Sequence, residues 1–122
     1  ARMRSYGLET KKIGEIAGNH PVILIGDFNA VKGSVPYDIL TGPATPPGII
    51  EPLFDAAYVS KYPHHGPTWT FHGFGTVENR TRIDYIFVND SVQVIQHGNL
   101  PDHWDGRYPS DHLPVVADVE IK

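Results

Sequence analysis

Three short polar segments carry the side chains that could do chemistry, and the first is Gly26-Asp27-Phe28-Asn29. It follows four consecutive aliphatic residues, Val22 to Ile25, which predict a strand buried on both faces. In sheets covered by helices, ligands bind beyond the carboxyl ends of the strands, where this acid and amide would lie. Gly26 would allow the backbone to turn tightly. An ordinary strand followed by a turn rich in Gly, Asp and Asn explains the pattern equally well.

The second segment is a predicted strand over residues 82–88 that contains Asp84. Alternation divides it into two faces, one with Ile83, Tyr85 and Phe87 and the other with Arg82, Asp84, Ile86 and Val88. Both faces are largely apolar, so an ionised Asp84 would be costly there unless it is paired. One possible partner is Arg82 on the same face. The other is an imidazole from elsewhere, which the carboxylate would hold in one tautomer and orientation.

The third segment is Ser110-Asp111-His112, in a loop directly before the last predicted strand. A carboxylate suits a hard cation and an imidazole suits a phosphoryl oxygen, so the pair makes a compact site for metal and proton chemistry. A solvated loop with a capping Ser and Asp is the alternative. His64 and His65 lie in a proline-flanked loop and are predicted to face solvent. His103 is a weaker zinc candidate because its loop lacks a recognised ligand spacing.

Composition limits the class of protein. A chain of 122 residues is expected to form one domain, and 40% hydrophobic with 20% charged residues is typical of a globular one. The absence of cysteine excludes disulfides and thiolate chemistry. A net charge of -4 argues against tight, nonspecific nucleic-acid binding but is compatible with an acidic pocket for divalent cations. No apolar run is long enough for a transmembrane helix.

The remaining pattern predicts a layered α/β (α+β) domain. Helices are expected over residues 2–17, 36–40 and 53–59, and further strands over residues 69–72, 92–96 and 115–121. The first helix rests on Ile13, Ile16 and Ala17 at i, i+3 and i+4, and it ends at Gly18-Asn19. Segments 41–52 and 98–109 are predicted to be loops. Helices that alternate with strands favour helices packed on sheets.

In this order, Gly26-Asp27-Phe28-Asn29, Arg82-Ile83-Asp84-Tyr85 and Ser110-Asp111-His112-Leu113-Pro114 resemble the motifs of the endonuclease/exonuclease/phosphatase superfamily, the DNase I-like group. Each motif lies at an end of a predicted strand. Segments 34–40 and 68–73 resemble the deadenylase-like and bacterial branches. The resemblance implies a four-layer α-β-β-α sandwich and a divalent-metal-dependent phosphoric ester hydrolase, acting as a phosphodiesterase, nuclease or phosphatase.

The resemblance also implies roles for individual residues. Asp27 would orient and deprotonate the attacking water, and Asn29 would hydrogen-bond the phosphate and stabilise its developing charge. His112, held by Asp84, would contact a phosphoryl oxygen. Asp111 would bind Mg²⁺ or Mn²⁺, with Asp27 in the same metal site.

Phe71 would line the substrate pocket, although packing is the commoner role for an aromatic residue in an alternating strand. Members of the superfamily are usually much longer, so residues 1–122 are expected to be the C-terminal part of one domain. The N-terminal half, which normally supplies a metal-binding Glu, would then be a required partner. Substrates hydrolysed in the superfamily include nucleic acids, phospholipid headgroups and small phosphate esters. The alternative is a noncatalytic binding or scaffold domain that keeps the sandwich.

Overall fold

The structure is a computed structural model that describes residues 2–44 and 52–122. In chain order the elements are α1 (Arg2–Ala17), β1 (Ile23–Asp27), α2 (Val35–Thr41), β2 (Phe54–Asp55), α3 (Ala56–Val59), a 3₁₀ turn (Val77–Asn79), β3 (Asp84–Val88), β4 (Val92–Asn99) and β5 (Val115–Ile121). The first helix and the last strand have the predicted bounds. Positions 45–51 of the predicted loop at 41–52 lie outside the described residues. No helix in the described part of the chain is both long and apolar enough to cross a bilayer.

Three predicted elements differ from the structure. Residues 69–72 do not form a regular strand, because only Phe71 pairs, through isolated bridges to Thr81 and His112. The predicted helix at 53–59 begins with the short strand β2, and α3 starts only after Asp55 caps it by accepting a hydrogen bond from the Ala57 amide at 3.1 Å. The strand predicted at 92–96 continues to Asn99, so the loop after it starts later than expected.

The strands form two antiparallel sheets. The first has the order β1-β3-β2, and the second consists of β4 and β5. In the first sheet Ile23 pairs with Val88 and Asp27 pairs with Asp84. The helices and the two antiparallel sheets confirm the predicted α+β fold class.

The strand that is buried on both faces is β3. On one face Tyr85 and Phe87 pack in a cluster under α2, and on the other Ile86 and Val88 pack in a second cluster against β4 and β5. A buried side chain of this size contributes about 1.5–3 kcal/mol. The predicted division of this strand into two apolar faces is therefore confirmed.

The predicted burial of β1 on both faces is wrong. Ile23 is 46% exposed and Ile25 is 67% exposed. The physical reason is strand order, since β1 lies at an edge of its sheet and pairs only with β3 among the described residues. Gly26 also lies inside this strand and does not form the turn, which occurs at Asn29 in a left-handed conformation (φ 50°) that asparagine tolerates.

The predicted apolar stripe of α1 is only partly covered. Ile13 and Ala17 are half-buried, but Ile16 is 80% exposed. Together with Ile23, these three residues line an open groove between α1 and β1, called here the α1–β1 groove.

Candidate active site

Two carboxylates meet where β1 ends and β3 begins. Asp27 and Asp84 are direct partners in the antiparallel register. Like charges placed directly opposite each other destabilise a strand pair. The arrangement therefore calls for a positive or hydrogen-bonding group nearby.

That group is the imidazole of His112. Its Nδ1 lies 2.8 Å from Oδ2 of Asp84, and its Nε2 lies 3.9 Å from Oδ2 of Asp27. A carboxylate only accepts, so Nδ1–H donates to Asp84. In the neutral ring, Nε2 then carries the free lone pair and faces the Asp27 side. The imidazole thus stands between the two acids.

Opposing influences set the protonation of His112. Partial burial acts to lower its pKa, but the hydrogen bond and charge of Asp84, with the charges of Asp27 and Asp111, outweigh burial and raise the pKa above its usual value. A protonated ring would present Nε2–H toward the Asp27 side, where it can donate to an anionic oxygen.

Arg82 is not the partner of Asp84. Its guanidinium forms a two-pronged ion pair with Asp55 instead, with nitrogen–oxygen distances of 2.7 and 2.6 Å. Asp55 is buried and also accepts a hydrogen bond from the Tyr37 hydroxyl at 2.9 Å. Of the two partners that the sequence allowed for Asp84, the structure therefore contains the imidazole. No short sequence motif predicted that Asp55 would be the partner of Arg82.

Asn29 lies beside Asp27 at the turn after β1. Its backbone amide donates to Oδ1 of Asp27 at 2.9 Å, and the residue is exposed. This bond fixes one carboxylate oxygen of Asp27 and leaves Oδ2 directed toward His112. Asn29 is thereby held beside Asp27.

Phe71 packs directly on the imidazole. Its ring centroid lies 5.0 Å from that of His112, at an angle of 58°. The backbone of Phe71 exchanges hydrogen bonds with Thr81 and forms an isolated bridge to His112. Phe71 therefore packs against the ring of His112, and its place in a substrate pocket stays a prediction.

Thr70 is a positioning residue that the sequence reasoning did not single out. It is fully buried, and its hydroxyl oxygen accepts hydrogen bonds from the amides of Ile83 and Asp84 at 3.0 and 3.1 Å. Its carbonyl accepts from the amide of Leu113 at 2.7 Å. Thr70 therefore joins the start of β3, through its side chain, to the loop that carries His112, through its backbone carbonyl. The sequence offered one indication of this role, namely that Thr70 directly precedes the candidate site residue Phe71.

His72 fixes the same loop from its other side. Its buried ring donates from Nε2 to the Ser110 carbonyl at 2.9 Å and accepts from the Phe74 amide at Nδ1, also at 2.9 Å. Its backbone amide donates to the Asp111 carbonyl. His72 therefore acts through the loop backbone.

The remaining histidines lie away from the site. His64 is half-buried, which contradicts its predicted solvent-facing position, because its Nδ1 lies 2.9 Å from Nδ1 of the buried His97. His65 is exposed as predicted. His103 is exposed, with its ring against Tyr108, and does not belong to the cluster around His112.

The carboxylates and the imidazole could also contribute to a metal site. Ligand atoms of Asp27, Asp84 and His112 all lie within 4.8 Å of one another. One oxygen of each carboxylate is engaged, that of Asp84 by the imidazole and that of Asp27 by the Asn29 amide. The side chain of Asp27 is 42% exposed and that of Asp84 is 17% exposed, so Asp27 is the more accessible oxygen donor. Asp111 adjoins His112 in sequence and is half-buried, but it is not a member of that cluster. Carboxylate oxygens are the donors that Mg²⁺ and Mn²⁺ prefer.

Comparison with known proteins agrees with the motifs. The profile of the Endonuclease/Exonuclease/phosphatase family matches residues 6–112. The chain belongs to this family.

Its relatives include enzymes that cleave phosphate esters. A mannosyl-6-phosphatase from Bacteroides thetaiotaomicron VPI-5482 is 30% identical, with a TM-score of 0.80 over 98% of this chain and 46% of that one. An endonuclease/exonuclease/phosphatase from Bacteroides vulgatus is 32% identical, with a TM-score of 0.83 over 99% of this chain and 44% of that one. Carbon catabolite repressor protein 4 homolog 4 of Arabidopsis thaliana is 31% identical over 83% of this chain and 27% of its own length.

Two statements follow from these matches. The family is one of phosphoester hydrolases, and this chain has its fold and its motifs. The chain also spans less than half the length of each of these relatives.

Proposed function

We propose that this chain is the C-terminal part of a domain that hydrolyses a phosphate ester by in-line attack of water, with Mg²⁺ or Mn²⁺ as cofactor. The observation that carries the proposal is the imidazole of His112, tied at Nδ1 to Asp84 and open at Nε2 toward Asp27. Phosphoryl transfer depends mostly on positioning and charge stabilisation, which such a cluster supplies.

Each side chain then has a stated task in the reaction. Asp27 accepts a proton from the attacking water. The hydrogen bond from the backbone amide of Asn29 keeps the Asp27 carboxylate in place. The side chain of Asn29 hydrogen-bonds the phosphate. Nε2–H of protonated His112 donates to a phosphoryl oxygen, and Asp84 stabilises the imidazolium. Phe71 lines the pocket beside the imidazole.

Oxygen donors for the cation would come from Asp27 and Asp111. A bound divalent ion neutralises charge on the phosphate oxygens. Two carboxylates are fewer oxygen ligands than such a cation takes, so the proposal includes further ligands from the N-terminal half of the domain. That half is therefore the proposed partner, and the chain alone is expected to be inactive.

The test uses the protein that carries both halves. Hydrolysis of bis(p-nitrophenyl) phosphate and p-nitrophenyl phosphate is measured with Mg²⁺, with Mn²⁺ and after EDTA, which separates diesterase from monoesterase activity. Asp27→Ala and His112→Ala should each lower kcat by at least about 100-fold. Asp90→Ala and His103→Ala, at exposed positions, are the matched controls. Unchanged turnover in both active-site variants would refute the assignment, and no turnover under any condition would favour a noncatalytic binding domain.

A further inference from the structure

A groove of about 430 Å³ on the described surface carries cations but no acids. Its lining includes Lys32, Tyr58, Trp69 and Arg80, together with Arg82 at its base, and contains no Asp or Glu. It is called the basic groove below. The chain has a net charge of -4, so a positively charged surface differs in sign from the chain as a whole.

Two of its cations are held in place without being neutralised. Nζ of Lys32 lies 4.1 Å from the ring centroid of Tyr58, and the guanidinium of Arg80 lies 4.4 Å from that of Trp69. Aromatic faces orient a cation but leave its charge in place. Arg82 differs, because Asp55 neutralises it.

Neither of these cations has an acidic partner among residues 2–44 and 52–122. No ion pair of Lys32 or Arg80 occurs in that part of the chain. Nε of Arg80 is buried and has no hydrogen-bond acceptor there. That nitrogen is shielded from solvent, so an anion in the groove would be bound by Nζ of Lys32 and the terminal nitrogens of the Arg80 guanidinium.

One backbone pair connects the basic groove to the candidate active site. Thr81 lines it and exchanges backbone hydrogen bonds of 2.9 and 3.0 Å with Phe71, whose ring packs on His112. Val31 lines it as well and follows Asn29 by two positions. A ligand with one phosphate at His112 could therefore extend into the basic groove.

We infer that the basic groove binds a second phosphate group of the substrate, through Arg80 and Lys32, while the scissile phosphate lies at His112. The inference rests on the proposed function for the position of the scissile group. It narrows the substrate class to phosphate esters with at least two phosphates, whether on a nucleoside or on a sugar. Arginine recognises phosphate with paired N–H donors, and lysine adds a point charge.

Binding to the metal-free chain in EDTA tests this inference without any turnover. Calorimetry compares adenosine 3′,5′-bisphosphate with adenosine 5′-monophosphate, and fructose 1,6-bisphosphate with fructose 6-phosphate. The bisphosphate should bind at least about tenfold more tightly in one pair or both, and the pair that shows it identifies a nucleoside or a sugar as the carrier. The preference should fall as salt is added.

Matched variants assign the effect to the two cations. Arg80→Gln and Lys32→Gln should each reduce the preference, and the double variant should abolish it. Lys61→Gln, which removes a lysine over Tyr62, and Arg107→Gln, which removes an exposed arginine, should leave it intact. Lys32 is exposed, so its variant remains informative if Arg80→Gln unfolds.

The outcomes separate this inference from the proposed function. Equal affinities within both pairs, or a preference that survives the double variant, would overturn the basic groove as a phosphate site even where the complete protein hydrolyses esters. A preference that is lost in the double variant would support the groove even where hydrolysis fails.

Discussion

At the scale of single residues, the site is explained by two acids that share one imidazole. Asp27 and Asp84 face each other across two strands, and His112 stands between them. The two contacts differ in kind. The bond at Nδ1 has hydrogen-bond length, whereas the distance of 3.9 Å at Nε2 leaves that nitrogen available to a substrate oxygen.

Substitution of Asp84 tests this description directly. Burial opposes protonation of His112, and the hydrogen bond and charge of Asp84 are the largest influences that favour it. Asp84→Asn should therefore lower the pKa of His112, as followed by NMR titration of the histidine side chains in this chain. In the protein with both halves, kcat should fall at least about tenfold.

Asp102→Asn is the matched control for that experiment. It removes an exposed acid next to His103 and should leave the titration of His112 unchanged. An unchanged pKa of His112 in Asp84→Asn would show that the hydrogen bond does not govern its protonation.

At the scale of elements, a single ion pair anchors α2, α3 and β3 to one another. Asp55 caps α3, accepts from Tyr37 in α2 and pairs with Arg82, two residues before β3. Both oxygens of this buried carboxylate accept hydrogen bonds, from the Ala57 amide, the Tyr37 hydroxyl and the Arg82 guanidinium. Such an arrangement is strongly destabilised when one partner is removed, because the other charge remains partly buried and unpaired.

Asp55→Ala should accordingly lower the free energy of unfolding by about 3–5 kcal/mol, measured by urea denaturation of this chain. Asp90→Ala, at an exposed turn position, should change it by less than about 0.5 kcal/mol. A loss below about 1 kcal/mol for Asp55→Ala would mean that Arg82 finds solvent or another acceptor.

The imidazole pair between the loop after α3 and β4 makes stability depend on pH. Nε2 of His64 donates to the Pro67 carbonyl at 2.9 Å, so its Nδ1 accepts in the neutral ring and Nδ1–H of His97 donates to it. Nε2 of His97 is then buried, and it has no hydrogen-bond partner in the part of the chain that the structure describes. Burial is the largest cause that lowers the pKa of His97, and the charges of His64 and Arg82 lower it further. The charge of Asp55 acts in the opposite direction, and the resulting pKa is about 4.

The sign of the effect follows from linkage. Between pH 6.5 and pH 4 the unfolded chain binds a proton at His97 that the folded chain does not, so stability falls as the pH falls through this window. The loss should reach about 3 kcal/mol. His97→Gln keeps a donor for His64 but does not titrate, so its unfolding free energy should vary less with pH. His103→Gln is the control, and an equal slope in His97→Gln would assign the effect to another group.

Sequence patterns predicted local features better than partners that depend on strand order. Alternation in residues 84–88 correctly predicted two apolar faces, because the side-chain period of a strand is local. The run Val22 to Ile25 did not reveal that β1 lies at an edge, since four aliphatic residues suit a central and an edge strand equally. The pairing of Arg82 with Asp55 is likewise nonlocal and followed no motif.

At the scale of the whole molecule, apolar surface remains open next to the site. Ile16 and Ile23 line the α1–β1 groove, and Ile25 lines a second opening beside Asp27 and Asp84. The far edge of β1 has no partner strand among the described residues. Exposed, unpaired apolar strands favour association.

We expect the N-terminal half of the domain to cover this surface. This chain alone should therefore self-associate in size-exclusion chromatography with light scattering or bind the dye ANS. Adding the proposed N-terminal half should abolish both signals, because it would cover β1. Ile25→Ser should weaken association and dye binding, whereas Val77→Ser, at an exposed position on the 3₁₀ turn, should change neither. A monomer of 13.5 kDa without dye binding would contradict the expectation, because it would mean that Ile23 and Ile25 are tolerated in water without a partner.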